Sequence, residues 1–410
     1  VIPLLLLVGC GADGSPYADP CAAEFVDDTL DPGVRSAQTQ LQDDAGDWAL
    51  HVQLRWPATG TGPWPVAVVL HGGWNQQGTP VDAGTSRLDP AEGVAEIHLD
   101  LPGNGLSGGV NDRRGAGSRA AVARALRWAA GLDTDLGGCT AARRAVGADP
   151  DALYLVGASN GGNLAVATLA DPALDRPEVA GLVVWETPAG PQFANVELGT
   201  DPTVYTPGSC TLGDAGIHCP YPAEQLRWTD DTPVEICFDL DADDTCGRDD
   251  VAVHSTEDPV TGLRMLSPGL TADLLDAGAD LGGYGDPAAA DAWWAERDAA
   301  RGAAALAARN PELAVLLVAS EEDHIQRLAD HPHVYGLGEA FQAAGVAWVR
   351  LNPGSAWLGG GPDNAPGIPL ALSGSEARLL SEEDESPLPR TLAAAVRELA
   401  DRAWGEGWSR

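Results

Sequence analysis

One short stretch constrains this chain more than any other. The apolar run Leu153-Tyr-Leu-Val156 passes directly into Gly157-Ala-Ser-Asn-Gly161, and the helix-forming run Asn163–Ala170 follows at once. A strand that becomes a helix through so sharp a turn needs glycines, because the backbone passes too near its neighbours to carry a Cβ. The residue at the apex, Ser159, is thereby held exposed at the end of a sheet. The first N–H groups of the helix have no intrahelical acceptor and face any negative charge that develops nearby. The pattern is G-x-S-x-G in the strand-turn-helix context that a serine nucleophile requires.

The flanking sequence supplies the rest of such a sheet. Trp48–Trp56 alternates and ends at Pro57, as an antiparallel strand does, whereas Pro65–Leu70 is continuously apolar, as a strand buried on both faces is. Further strands are expected at Ala95–Asp100, before Ser159, at Val179–Trp185, Leu313–Val318 and Val346–Leu351, with helices at Arg119–Ala130 and Gly138–Val146. Alternating strands and helices imply a mostly parallel sheet flanked by helices. Between about 190 and 285 the rhythm stops, in a stretch rich in Pro, Asp and Gly that holds four of the seven cysteines. It reads as an insertion over the sheet, with a helix beginning near Ser267. Pro389–Trp408 reads as an amphipathic helix.

Cysteine usage and the N-terminus point to export. Val1–Val8 is apolar but too short to span a bilayer, and it is similar to the core of a secretory signal. Leu7-Val-Gly-Cys10 resembles a bacterial lipobox, which implies lipidation at Cys10 and an envelope location held by a lipid anchor. The remaining six cysteines are an even set with 15 connectivities. Proximity favours Cys210 with Cys219 and Cys237 with Cys246, leaving Cys21 for Cys139. The formal net charge is −36 and every basic residue is arginine, so nucleic acid is excluded as a partner and membrane contact is expected only through the anchor.

Four segments in order resemble the α/β-hydrolase superfamily. His71-Gly-Gly-Trp74 follows a buried strand and is similar to its oxyanion loop. Asp100–Ser107 matches D-x-P-G-x-G-x-S, Gly157–Gly161 is the nucleophile elbow, and Ser320–Gln326 is similar to the acid-bearing segment. The resemblance implies an α/β-hydrolase fold in two parts, 45–190 and 288–410, with 191–287 as a disulfide-rich cap, 11–44 as a tether and extension, and 1–10 as the signal segment. It further implies that Ser159 attacks, that Asp323 orients a base, and that the amides of Asn160 and of Gly73 or Trp74 hold the oxyanion. His71 is expected to buttress its loop, and Glu321 and Glu322 to be solvated. Catalysis then requires no cofactor, and the substrate is a small molecule or peptide with an ester or peptide-like acyl bond.

The chain departs from that family at the base. The superfamily places its histidine after the final strand, but Asn352–Gly361 has none and no histidine follows His333. The candidates are His333, favoured at the start of a helix, then His324 and His331, then His218 and His254 in the insertion. His324 adjoins Asp323, so their side chains are expected to diverge. Glu186, at a strand end, is an alternative acid. The missing histidine also motivates a second reading, a non-catalytic binding protein of the same fold at the cell surface.

A separate expectation concerns Asp239–Asp250. Asp239, Asp241, Asp243 and Asp250 occupy loop positions 1, 3, 5 and 12, a spacing similar to an EF-hand-type loop, and a structural calcium is expected there. Asp244 stands where that loop carries glycine.

Overall fold

The structure is a computed structural model, and it describes residues 21, 26–27, 33–43, 45–79, 88–199, 204–229, 234–320, 323–325, 331–352 and 388–404. Its centre is one sheet of nine strands. In chain order these are β1 (Val26–Asp27), β2 (Val34–Gln42), β3 (Ala49–Pro57), β4 (Trp64–Leu70), β5 (Ala95–Leu99), β6 (Ala148–Ala158), β7 (Gly181–Trp185), β8 (Ala314–Val318) and β9 (Trp348–Leu351). Their spatial order is β1-β2-β3-β5-β4-β6-β7-β8-β9. The first three strands join antiparallel and everything from β5 to β9 is parallel. This is the α/β-hydrolase-type sheet that the sequence motifs implied.

Every residue of β4 is buried, as its unbroken apolar run requires of a strand covered on both faces. One row of helices packs neighbour on neighbour: α1 (Ala116–Ala129), α2 (Asn160–Ala170), α5 (Ala299–Arg309) and α6 (Pro332–Ala343). The C-terminal helix α7 (Leu388–Trp404) lies instead against β4, β7 and β8. Between α2 and α5 come α3 (Pro268–Asp276) and α4 (Pro287–Ala295).

Three elements differ from expectation for identifiable reasons. Strand β2 falls within the segment read as tether and extension, and it pairs with β3 along nine residues. The expected alternation of β3 does not translate into an exposed face. His51 and Arg55 are buried and matched by Asp100 and Glu96 on β5 and its end, and His98 also pairs with Glu96. The helix expected over 138–146 is only Ala141–Arg144, capped by the Thr140 hydroxyl and stopped before Gly147, whose φ is +97°.

The insertion holds three small antiparallel sheets, and two of its hairpins are closed by Cys210–Cys219 and Cys237–Cys246. Cys21–Cys139 ties the N-terminal segment to the core, so all three bridges pair as proximity suggested. Helix α4, assigned from sequence to the second part of the core, packs Trp293 and Trp294 against Met265 and Ala194, with Trp74 alongside. The cap thus touches the loop that follows β4.

Candidate active site

Strand β6 ends at Ala158 and α2 begins at Asn160, which leaves Ser159 as the whole turn. Its φ of 51° and ψ of −129° are a strained combination for a side-chain-bearing residue. Bonds on either side hold it there: the Ser159 N–H donates to Trp185 O at 2.8 Å, and its carbonyl accepts from Gly162 N at 2.8 Å. The elbow glycines are required by contact. A Cβ on Gly157 would lie 2.5 Å from Gly162 Cα, and one on Gly161 would lie 2.4 Å from Leu70 O.

The imidazole that reaches this serine is that of His324. Its Nε2 lies 2.9 Å from Ser159 Oγ, and its Nδ1 lies 2.6 Å from Glu186 Oε2. An ionised carboxylate only accepts, so Nδ1 carries the proton and Nε2 is free to accept from the serine hydroxyl. Glu186 is 1% exposed, and its carboxylate also accepts from the Ser320 hydroxyl at 2.8 Å and the His324 amide at 3.2 Å. These bonds fix the acid at the end of β7, where Glu186 itself adopts a φ of 41°. The His324 ring stacks on Trp185 with centroids 4.9 Å apart and planes 12° apart. Its side chain is 39% exposed, enough to meet a substrate.

Asp323 and His333 form a different pair. His333 Nε2 lies 2.9 Å from Asp323 Oδ2, both side chains are fully buried, and the Ile325 amide donates to Asp323 Oδ1 at 2.6 Å. Burial pushes the Asp323 carboxyl up, but His333 beside it, nearby His324 and the Ile325 amide together outweigh burial and hold the group below the usual range. The aspartate therefore does orient a histidine, but that histidine is enclosed and is not the one at Ser159. Asp323 comes only within 4.0 Å of His324 Nδ1. The divergence expected between neighbouring side chains is real: Asp323 turns inward to α6 and His324 outward to the serine. His331 precedes α6 with a φ of 30°, is buried, and has its ring 6.3 Å from that of His333. His218 and His254 are exposed on the cap.

The loop after β4 and the start of α2 flank Ser159. A Cβ on Gly72 would be 2.8 Å from Ser159 Cβ and 3.3 Å from its Oγ, so the His71–Trp74 loop abuts the nucleophile. Among the described residues the N–H groups of Gly73, Trp74 and Asn160 donate to no protein acceptor. His71 is buried with Nδ1 2.8 Å from Gly72 O, and burial, helped by nearby Arg114, lowers its pKa to about 3. It is neutral at ordinary pH, as a buttress should be. Asp100, of the second motif, receives the amides of Gly78, Thr79 and Leu106 and bonds His51. These bonds outweigh burial and lower it to about 2.

In the acidic loop, Asp239, Asp241 and Asp243 offer oxygens within 4.8 Å of one another. The Asp239 oxygens already accept from the amides of Asp243 and Asp244, with Arg227 3.3 Å away. Both Asp250 oxygens accept backbone amides, from Leu240 and Gly247. The donor set expected for calcium is thus largely engaged by the chain. Cys10, Glu321 and Glu322 lie outside the described residues.

No known family profile matches the chain, and no curated protein does. Among solved structures it is similar to a thermostable esterase from Pseudomonas putida, at 15% identity and a TM-score of 0.42, over 78% of this chain and 72% of that one. It is also similar to the bacterial heroin esterase, at 23% identity and a TM-score of 0.30, over 41% and 50% of the two chains. A third is the esterase Est22, at 17% identity and a TM-score of 0.32, over 46% and 52%.

Proposed function

We propose that this protein is a serine hydrolase that cleaves an ester or similar acyl bond through an acyl-enzyme on Ser159. The observation that carries the reading is the relay Ser159–His324–Glu186, with bonds of 2.9 Å and 2.6 Å and the correct polarity at each step. A serine hydroxyl is a weak nucleophile until a base takes its proton. Here Nε2 of His324 removes that proton as Oγ attacks the carbonyl carbon, and Glu186 stabilises the imidazolium that forms. The carbonyl oxygen becomes an oxyanion facing the free amides of Asn160 and of Gly73 or Trp74. Collapse expels the alcohol, which takes the proton from His324. Water then attacks the acyl-enzyme by the same relay and releases the acid and free Ser159.

The reading of a non-catalytic binding protein rested on a missing base, and His324 supplies an imidazole within reach. Export belongs to the same proposal: three disulfides fit an oxidising compartment, and Cys10 would carry the lipid anchor. Among the described residues no helix is long and apolar enough to cross a membrane.

A fluorophosphonate probe tests the reading. Wild type should label and Ser159→Ala should not, while both melt alike. Folded wild type that neither labels nor turns over p-nitrophenyl esters overturns it.

A further inference from the structure

Arg114 is 2% exposed, and its guanidinium donates to three consecutive carbonyl oxygens of the loop beside Ser159. NH2 donates to His71 O at 2.8 Å, Gly72 O at 2.8 Å and Gly73 O at 2.6 Å, and Nε donates to Gly73 O at 3.1 Å. No carboxylate forms an ion pair with it among the described residues. A buried cation without an ion pair is costly, and an apolar side chain of similar volume would fill the space more cheaply. Burial lowers its pKa to about 9, so it stays charged at neutral pH.

The geometry points to Arg114 as the positioning residue of the oxyanion hole, holding the loop so that its free amides face the reacting carbonyl. The argument is stereochemical. In a planar trans peptide the C=O and the following N–H point opposite ways. Tying the carbonyls of Gly72 and Gly73 to Arg114 therefore turns the N–H groups of Gly73 and Trp74 away from it, and these are the amides left free of protein acceptors. The same loop is in contact with Ser159 through Gly72. The cation also adds positive potential behind the donors, where charge develops in the transition state.

The backbone around Arg114 is built to deliver it. Arg113 and Arg114 both have positive φ, 52° and 67°, in succession, a conformation that side-chain-bearing residues resist. Two groups hold that turn. The Asp112 carboxylate accepts from the amides of Gly115, Gly117 and Ser118, starting α1. Arg297, just after α4, donates to the carbonyls of Arg113 and Asp112 at 2.9 and 3.2 Å. The Arg297 guanidinium in turn lies 3.4 Å over the Trp293 ring. The cap thereby braces the turn that grips the oxyanion loop.

This role rests on the acyl-enzyme reading, and the experiment separates the two. Wild type, Ser159→Ala, Arg114→Met and Arg114→Lys are compared on a p-nitrophenyl ester and on its thionoester, whose sulfur accepts oxyanion-hole bonds poorly. Arg114→Met should lower kcat about 10²-fold, the range for losing an oxyanion donor, with KM little changed. It should also erase most of the preference for ester over thionoester. Arg114→Lys should fall between Arg114→Met and wild type in both readouts, because an ammonium keeps the charge and loses the planar fork. A folded Arg114→Met with a wild-type ester-to-thionoester ratio overturns the role, whatever its kcat. If Arg114→Met fails to fold, Arg114→Lys decides by the same ratio. If wild type and Ser159→Ala turn over equally, the acyl-enzyme reading falls instead.

Discussion

The carboxylate of Glu186 and Nδ1 of His324 lie 2.6 Å apart across 138 residues of sequence. The sheet makes that possible. Strands β7 and β8 run parallel with Val318 opposite Trp185, so the acid and the loop bearing the base leave the same edge at the same level. Ser159 leaves that edge one strand away, on β6, whose Ala158 pairs with Trp185.

Replacing Glu186 with Gln should leave the fold intact and lower kcat on a p-nitrophenyl ester on the order of 10³-fold or more, because the neutral amide no longer holds the productive tautomer or stabilises imidazolium. Glu186→Gln is therefore the sharpest assignment of the acid. A loss smaller than about tenfold would move the role to Asp323, the other carboxylate near that nitrogen.

Asp323 and His333 should matter to stability more than to turnover. Removing one member of a buried pair costs about 3–5 kcal/mol, so Asp323→Asn should melt well below wild type while kcat changes less than that of Glu186→Gln. The sign with pH follows from the lowered carboxyl of Asp323. The folded state favours the ionised form, so the stabilisation is complete above the unfolded pKa of about 3.9. It is lost as pH falls through the lower folded value. Denaturant melts at decreasing pH should show the gap between wild type and Asp323→Asn closing in acid. A gap that widened in acid would reject the pairing.

Glu197 has the opposite sign. It is fully buried in the cap, accepts from the Ser267 amide at 2.5 Å, and burial raises it from 4.5 to about 7. The folded state then binds more protons than the unfolded state between those values, and stability falls as pH rises through them, by roughly 3 kcal/mol at most. Glu197→Gln keeps an acceptor for Ser267 and does not ionise. It should be more stable than wild type near about pH 8, with the advantage shrinking towards acid. Equal pH profiles for the two proteins would show that Glu197 is not the group responsible.

The strand-turn-helix elbow at Ser159, the loop after β4 and the sheet were legible because each is a local pattern. Buried parallel strands are apolar runs, and the elbow is fixed by glycines within five residues of one another. The pairing of Glu186 with His324 was not, because it depends on which strand neighbours which. Sequence separation hides that β8 adds beside β7, and so places Glu186, at the end of one, against His324, beyond the end of the other. The family pattern also misdirected. It puts a histidine after the last strand, whereas here Glu186 and His324 follow β7 and β8 and the end of β9 carries Asn352. Asp323 was expected to orient the base because it follows a late strand, and its pairing with His333 depends on a helix that sequence position does not bring near it. His324 is exposed where His331 and His333 are buried, and that difference cannot be read from letters.

The Asn352 side chain bridges both backbone groups of Ala319, accepting from the amide at 2.9 Å and donating to the carbonyl at 3.0 Å. It rivets the ends of β8 and β9 together where a relative would deliver its proton acceptor. The clamped Ala319 directly precedes Ser320, whose hydroxyl donates to Glu186, so the end of β9 is tied through two neighbouring residues to the carboxylate beside His324.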